Sequence, residues 1–279
     1  MIKLAENGSR LARSLSYSTK TGMSEIEDRI TVEEPLQILV RREGSEATHI
    51  AYIMRTPLMD NFLAAGFLMS EGLINSGSDI LGFEGVDAIG IARSNTITVT
   101  VSNSIDPEGL MGRRNFFVNS SCGICGKATI SSIFARTGNI QKSAVRIMSS
   151  VLLRLPGIMR ADQRVFLQTG GIHAAAIFDD SGHMIAIAED IGRHNAVDKI
   201  VGFILMNRLQ CNNLILQVSG RAGFEIIQKA AVSGIPIVSS ISAPSSLAVE
   251  TCESMGITLA CFVRRDRFTV YSHPERIIE

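Results

Sequence analysis

The chain has no tryptophan, only seven prolines and no excess of charge of either sign. Its 27 basic residues are balanced by 27 acidic ones, so net charge supplies no reason to expect nucleic acid as a partner. No apolar run approaches the roughly 18 to 20 residues of a membrane span, and no apolar core of a secretory signal opens the sequence. We therefore expect a cytoplasmic protein with no membrane association. Hydrophobic residues make up 46% of the 279, which is enough to bury a sizeable core.

Cysteine is also scarce, and its five copies are an odd number. Without an export signal, a chain of this size is expected to keep its thiols reduced rather than to build a disulfide framework. Cys211, Cys252 and Cys261 each stand alone in apolar surroundings, which is typical of a cysteine that packs as a small hydrophobe. The other two, Cys122 and Cys125, form a single C-x-x-C pair in NSSCGICGKATI.

Three segments follow from composition and periodicity. Residues 1–23 are interpreted as a polar, disordered tail. Residues 24–118 predict a small α+β domain: LQILVRR and THIAYIMR flank the turn EGSEA as a hairpin, LMDNFLAAGFLMSEGLI has the spacing of a helix with one buried face, and TITVTVS alternates as a strand. Residues 119–279 predict an α/β domain that begins with the C-x-x-C loop.

The α/β domain is predicted from alternation of strands and helices. A hairpin around DDSGH precedes the helix RHNAVDKIVGFILMNRL, whose apolar residues recur at helical spacing. The strands LILQVS, IPIVSS and TLACFV then alternate with two helices that end at Gly234 and Gly256. This order favours a sheet with parallel strands covered by helices.

Polar and basic residues occupy the three junctions at which a strand leads into a helix. The junctions read EDIGRHNAVDK, SGRAGFE and SSISAPSSLAVE, and a basic turn, FVRRDR, follows a later strand. Such junctions meet at the carboxyl edge of a parallel sheet, where ligands bind. Ordinary helix caps and turns are the alternative for each junction alone. Together they favour a ligand with several phosphates, and the candidate binding residues are Arg193, His194, Ser219, Arg221 and Ser242.

Two histidines lie near these junctions. Each has a structural alternative to ligand binding: His194 as a residue at a helix start that pairs with a carboxylate such as Asp190, and His173 as a strand residue bonded to backbone. Neither stands at metal-ligand spacing with a cysteine.

Three interpretations compete for the C-x-x-C pair. A structural zinc site needs four ligands, usually from two such pairs, and only one pair is present. A thioredoxin-like redox pair normally follows a strand, and no clear strand leads into this one. The third is a nucleophilic thiol on a mobile loop rich in Gly, Ser and Asn. Arg113, Arg114 and Lys127 would lower the pKa of such a thiol.

The motifs SCGICG, EDIGRHNAVDKIVG, SGRAGFEIIQKAA, SSISAPSSLAVE and TVYSHPERI, in this order, resemble the formate dehydrogenase accessory sulfurtransferase (FdhD/NarQ) family. The resemblance runs from about Glu33 to the C-terminus. It implies a cytidine-deaminase-like fold for the C-terminal domain, without zinc chemistry.

The resemblance also implies a function. A sulfur carrier of this kind accepts persulfide sulfur from a cysteine desulfurase and passes it to the molybdenum cofactor, bis-molybdopterin guanine dinucleotide, before that cofactor enters formate dehydrogenase. Cys122 matches the persulfide cysteine, and Cys125 either assists transfer or releases the persulfide by forming a disulfide. GDP would mimic a fragment of the cofactor, and the resemblance implies a homodimer. The segment that matches the cofactor-binding region comprises Phe262, Val263, Arg264, Arg265, Asp266 and Arg267.

A function of another class is also compatible with these features. The chain could bind the molybdenum cofactor as a non-catalytic chaperone and use its cysteines only to dock a partner. Detection of a persulfide on Cys122 would separate the two functions.

Overall fold

A computed structural model describes residues 8–106 and 144–279 of the chain. Cys122, Cys125 and the rest of the C-x-x-C loop lie outside the described residues. The strands are β1 Ser9–Ser18, β2 Gly22–Thr31, β3 Glu34–Arg42, β4 Thr48–Arg55, β5 Ile80–Glu84, β6 Thr96–Val101, β7 Ile147–Met148, β8 His173–Phe178, β9 Met184–Asp190, β10 Ile215–Val218, β11 Ile237–Ser240, β12 Thr258–Cys261, β13 Thr269–Ser272 and β14 Ile277–Ile278. The α-helices are α1 Asp60–Glu71, α2 Ser149–Asp162, α3 Arg164–Thr169, α4 Arg193–Met206, α5 Phe224–Ser233 and α6 Ser246–Met255.

From Ser9 onward, the segment expected to be a disordered tail forms a β-hairpin instead. β1 pairs with β2 along its whole length as an antiparallel hairpin, from Ser9 opposite Thr31 to Ser18 opposite Gly22. Hydrogen bonds anchor its base to the last turn of α3: Ser9 Oγ donates to Gln168 Oε1 over 2.5 Å, and Thr31 Oγ1 contacts Thr169 Oγ1 at 2.8 Å. The polar composition of this segment did not predict the hairpin. The hairpin has little apolar core of its own, and backbone hydrogen bonds between β1 and β2 hold it together.

The next elements form a four-stranded sheet in the order β4-β3-β6-β5. The predicted hairpin is confirmed as β3 and β4, and the predicted helix as α1. β3 and β6 are parallel, and every second residue of each points into a core shared with α1. The core side chains include Leu36, Ile38, Val40, Ile97, Val99, Val101, Leu63 and Leu68.

The C-terminal sheet has six strands in the order β13-β12-β11-β10-β8-β9. β10, β11 and β12 are parallel, as the alternating pattern predicts, while β8 and β13 run antiparallel to their neighbours. Residues of α4, α5 and α6 pack on one face and α2 packs on the other. The fold class is therefore mixed α/β, and a cytidine-deaminase-like arrangement stays a prediction.

Two glycines bring α1 and α4 into close contact and join the two sheets. A Cβ atom on Gly66 would lie 1.8 Å from the carbonyl oxygen of Asp198, and one on Gly202 would lie 1.9 Å from that of Phe62. The Asp198 side chain accepts hydrogen bonds beside this crossing from Ser70 Oγ at 2.7 Å and from Lys229 Nζ at 2.8 Å. The small α+β unit is thus packed directly on the α/β unit.

Among the helices of residues 8–106 and 144–279, none is both long and apolar enough to cross a membrane.

Candidate functional site

Strand directions bring the predicted junctions to one edge of the six-stranded sheet. β9 is antiparallel to β8, and β8 is antiparallel to β10, so β9 runs in the same direction as β10, β11 and β12. Their carboxyl ends therefore meet at one edge, together with the first residue of β8, His173. We call this the carboxyl edge; it comprises His173 and residues 190–194, 219–223, 241–245 and 262–267.

A buried ion pair holds the first junction rigid. Asp190 and Lys199 are fully buried, and Lys199 Nζ lies 2.6 Å from Asp190 Oδ2. The same carboxylate accepts hydrogen bonds from the backbone of Thr56 and Gly192 and from Asn195 Nδ2, at 3.2, 2.8 and 2.9 Å. Four donors therefore occupy both oxygens of Asp190, and the turn before α4 is set by contacts that reach into the N-terminal unit.

His194 pairs with a different carboxylate from the one suggested by the sequence. Its Nε2 lies 2.9 Å from Glu225 Oε2, near the start of α5, and not against Asp190. The hydrogen bond from His194 lowers the pKa of Glu225, although burial acts in the opposite direction. The pair connects the first junction to the second.

The surroundings of His173 also differ from those suggested by the sequence. His173 is the first residue of β8, as the strand alternative has it, and lies half-buried opposite Asp190 in the β8–β9 register; within the described residues its side chain makes no hydrogen bond to backbone. Its ring instead lies against the second junction, since a Cβ atom on Gly220 would be 3.3 Å from Nδ1 and 3.6 Å from Arg193 Cβ. Burial lowers the pKa of His173, and the positive charge of Arg193 lowers it further.

Serine hydroxyls tie the junctions together. Ser219 Oγ accepts a hydrogen bond from Ala174 N at 2.9 Å, which leaves its hydroxyl hydrogen for another acceptor. Ser240 Oγ donates to Gly220 O at 2.8 Å and accepts from Ser242 N at 3.0 Å. Ser245 caps α6 through Ala248 N, so the cap interpretation is confirmed at that position. Arg221 is exposed at the second junction.

The basic turn 262–267 is attached to the third junction. Phe262 N donates to Ser242 O at 3.2 Å, and Arg264 Nη1 donates to Ile241 O at 2.6 Å. Phe262 adopts φ 53°, a left-handed conformation uncommon for a residue with a side chain, and its ring is 41% exposed while Val263 is buried. Residues Arg264, Arg265, Asp266 and Arg267 are exposed. Strained backbone and exposed arginines make this turn a good position for a ligand.

The two ends of the carboxyl edge are well separated. Four strand spacings of about 4.8 Å place the end of β9 roughly 19 Å from the end of β12. Arg193, His194 and His173 therefore lie at one end and the turn 262–267 at the other, with Ser219, Arg221 and Ser242 between them. One phosphate group does not reach both ends, whereas a ligand with two separated pyrophosphates can.

The three lone cysteines are unsuited to nucleophilic chemistry. Cys252 and Cys261 are fully buried, as predicted, and Cys211 is partly buried. Burial raises the pKa of all three thiols, to about 11 for Cys211 and about 12 for Cys261. At neutral pH they remain protonated thiols, which are poor nucleophiles. Within the described ranges, no group of three or more His, Cys, Asp or Glu residues is arranged to hold a metal ion.

Sequence reasoning did not predict that His173 lies at the carboxyl edge, or that Glu225 pairs with His194. The predicted β8–β9 hairpin contained a usable signal for His173, since extending its register to the first residue of β8 places that histidine opposite Asp190. For Glu225 there was none, because the contact with His194 depends on how α4 and α5 pack.

Comparisons with known proteins agree with this arrangement. Residues 31–278 match the model of the FdhD/NarQ family. Sulfur carrier protein FdhD of Thermoplasma volcanium is 50% identical over 275 residues, which cover 98% of this chain and 97% of the relative. The protein of the same name from Mycobacterium tuberculosis is 40% identical over 263 residues, covering 90% and 92% of the two chains.

A solved structure has the same fold. The crystal structure of a proposed formate dehydrogenase accessory protein from Desulfotalea psychrophila aligns with a TM-score of 0.76 at 23% identity, covering 97% of this chain and 99% of that one. The family model and the curated relatives both span nearly the whole sequence, and the chain therefore belongs to the FdhD/NarQ family.

Proposed function

We propose that this chain is a cytoplasmic sulfurtransferase that accepts persulfide sulfur from a cysteine desulfurase and passes it to bis-molybdopterin guanine dinucleotide. The sulfurated cofactor then enters formate dehydrogenase. Two kinds of support converge: relatives at 40 to 50% identity are named sulfur carriers, and the carboxyl edge carries basic residues at two separated positions. The second is the observation that carries the proposal, because the cargo has two pyrophosphates and the edge offers a cationic group for each.

Cys122 is the proposed carrier. Its thiolate attacks the terminal sulfur of the desulfurase persulfide, a new S–S bond forms on Cys122, and the desulfurase thiolate leaves. No electron is gained or lost overall, since the sulfane sulfur only changes partner. Cys211, Cys252 and Cys261 are poor substitutes because burial raises the pKa of each thiol.

Cys125 is the proposed release group. Its thiolate can attack the sulfur of Cys122, so that a Cys122–Cys125 disulfide forms and the terminal sulfur leaves as hydrosulfide. The disulfide must then be reduced by a thiol before the next cycle. This role predicts that loss of Cys125 leaves the persulfide on Cys122 but slows its discharge.

Trapping the persulfide tests the central step. The protein is incubated with a cysteine desulfurase and cysteine, alkylated and examined by peptide mass spectrometry. A mass increase of one sulfur on the peptide of Cys122 supports the carrier. An unmodified Cys122 under conditions that load the desulfurase would instead favour the non-catalytic cofactor-binding chaperone.

We expect GDP, as a fragment of the cargo, to bind at the turn 262–267. The double variant Arg264→Ala, Arg267→Ala should lose at least about tenfold in GDP affinity by isothermal titration calorimetry, because charge-assisted hydrogen bonds to phosphate are removed. Affinity of the wild-type protein should fall as salt rises.

The control for this experiment is Arg93→Ala, which removes an exposed arginine in the N-terminal unit. Arg264 also donates to the carbonyl oxygen of Ile241, so its loss could change the shape of the turn as well as ligand binding. The single variant Arg267→Ala keeps that hydrogen bond and therefore tests ligand binding by itself. Equal GDP affinity in the wild-type protein and the double variant would remove the turn from the site.

We also propose a homodimer, in which the β1–β2 hairpin of one copy packs on that of a second copy. Beyond its base the hairpin is exposed, and a two-stranded hairpin is marginally stable alone. One face presents Leu11, Leu15, Tyr17 and Met23, which are 58 to 74% exposed. Exposed apolar groups of this kind mark interaction surfaces.

Charge on the same face favours a second copy as the occupant. Arg13 of β1 lies opposite Glu27 of β2, and Tyr17 lies opposite Met23. A two-fold axis parallel to the strands places β1 of one hairpin over β2 of the other. Arg13 then meets Glu27 of the second copy, and Tyr17 meets its Met23, so the face is complementary to itself.

The double variant Leu15→Glu, Tyr17→Glu should be monomeric in sedimentation velocity at concentrations where the wild-type protein is dimeric. Its circular dichroism should not change, because neither side chain enters a core. Tyr52→Glu, on the exposed face of the four-stranded sheet, is the matched control. A dimeric hairpin variant would place the interface elsewhere, and a monomeric wild-type protein would contradict the homodimer itself.

A further inference from the structure

A half-buried histidine lies between two junctions of the carboxyl edge. The His173 ring contacts the position where Gly220 lacks a side chain and lies close to Arg193. Within residues 8–106 and 144–279 its nitrogens make no hydrogen bond. The ring is only half-buried, so its nitrogens, which can donate or accept a hydrogen bond, stay open to a ligand at the carboxyl edge.

Both nearby carboxylates are already occupied. Asp190 lies opposite His173 in the sheet, but Lys199, Thr56, Gly192 and Asn195 use its two oxygens. Glu225 is paired with His194 at 2.9 Å. Neither Asp190 nor Glu225 is therefore paired with His173.

We infer that His173, with Arg193 and the open backbone at Gly220, binds a phosphate group of the cargo at a subsite separate from the turn 262–267. This rests on the proposed function for the identity of the cargo, but the subsite needs only an oxyanion. About three strand spacings, or roughly 14 Å, separate β8 from β12, so this subsite is independent of the arginine turn. A GDP bound at the turn 262–267 would leave Arg193 and His173, at the other end of the carboxyl edge, without a ligand. The proposed subsite gives these two residues a role.

Anion binding at this subsite should be coupled to proton uptake. The charged and titratable groups that face His173 are Asp190, Arg193 and His194; burial and Arg193 lower its pKa, so the free imidazole is neutral near pH 7. A phosphate against the ring favours the imidazolium and raises that pKa. Affinity for the anion should then rise as pH falls from the pKa of the complex to that of the free protein. Below the latter pKa it should level off, because both states are protonated.

The test uses inorganic pyrophosphate and the Arg264→Ala, Arg267→Ala protein, in which the turn no longer competes. Calorimetry from pH 8 to pH 5.5 measures affinity in this background with and without His173→Gln. We expect the ratio of the two affinities to be near one at pH 8 and about tenfold at the lowest pH, because an adjacent opposite charge shifts a pKa by one or more. The ratio cancels the titration of pyrophosphate itself.

Two glycine variants test the shape of the subsite without altering charge. Gly220→Ala places a methyl group 3.3 Å from His173 Nδ1 and should weaken pyrophosphate binding about tenfold. Gly157→Ala, in α2 and outside the carboxyl edge, has no atom within 4 Å of the added carbon and should bind normally. His183→Gln, in the β8–β9 turn with its side chain 80% exposed, is the control for loss of a histidine.

The outcomes separate this inference from the proposed function. Unchanged pyrophosphate affinity and pH dependence in His173→Gln, while wild-type protein binds GDP at the turn, would overturn the subsite and leave the function intact. Failure of GDP to bind the turn, with the pH-dependent effect of His173 present, would contradict the proposed cargo and support the oxyanion subsite. The folded state of each variant is checked by its thermal unfolding midpoint.

Discussion

Cys122→Ala should abolish sulfur transfer while leaving the fold intact. The thiolate is the proposed sulfur acceptor, and the other cysteines whose burial is described have pKa values raised well above neutrality. In a strain that depends on this protein, formate dehydrogenase activity should fall to the level seen without it. Activity is measured with the variant expressed at the wild-type level, since poor expression would give the same loss.

Cys211→Ala is the matched control. It removes a partly buried thiol that contacts the Leu209 carbonyl oxygen at 3.6 Å, so it should leave transfer unchanged and at most cost stability through a small cavity. Cys125→Ala should impair transfer less than Cys122→Ala, or equally. Wild-type maturation of formate dehydrogenase by Cys122→Ala would show that another group carries the sulfur.

Gly66→Ala should destabilise the protein strongly. The added carbon would lie 1.8 Å from the carbonyl oxygen of Asp198, and a helix backbone yields less readily than the end of a side chain. Overpacking typically costs about 1 to 3 kcal/mol and sometimes more. We expect at least the upper end of that range, which corresponds to a melting temperature lower by roughly 10 °C in a chain of this size.

Gly202→Ala should have a similar effect, because its Cβ would lie 1.9 Å from the carbonyl oxygen of Phe62. The two losses should not add, since both substitutions separate the same helix pair. Gly157→Ala is the control: Gly157 is exposed inside α2, and nothing lies within 4 Å of the added carbon. It should stabilise the protein by up to about 1 kcal/mol through higher helix propensity. A small effect of Gly66→Ala would mean that α1 and α4 separate easily.

Much of the local structure was predictable because side-chain periodicity records which face of an element is buried. The alternation in TITVTVS marked β6, and the helical spacing in RHNAVDKIVGFILMNRL marked α4. Glycine marked the ends of α5 and α6, where Gly234 and Gly256 adopt positive φ. Lone cysteines in apolar segments were predicted to be buried, and two of the three are fully so.

The exception in local structure is the N-terminal hairpin. Residues 9–18 and 22–31 carry no buried face, so periodicity gave no signal and composition suggested disorder. Only the pairing of β1 with β2, and the contacts of the hairpin base with the last turn of α3, reveal the element. The same lack of a buried face is what makes the hairpin a candidate surface for a second copy.

The sequence by itself determined the family, the order of the elements and the junctions that could bind phosphate, because these depend on residue types at short separations. The tertiary structure alone decided which of these groups meet. Strand order separated Arg193 from the turn 262–267 and brought His173 to Gly220, while helix packing gave His194 its partner Glu225. Such contacts join residues that are far apart in the chain. Their distances depend on the order and direction of strand pairing and on the crossing of α1 with α4, which periodicity at the level of single elements does not encode.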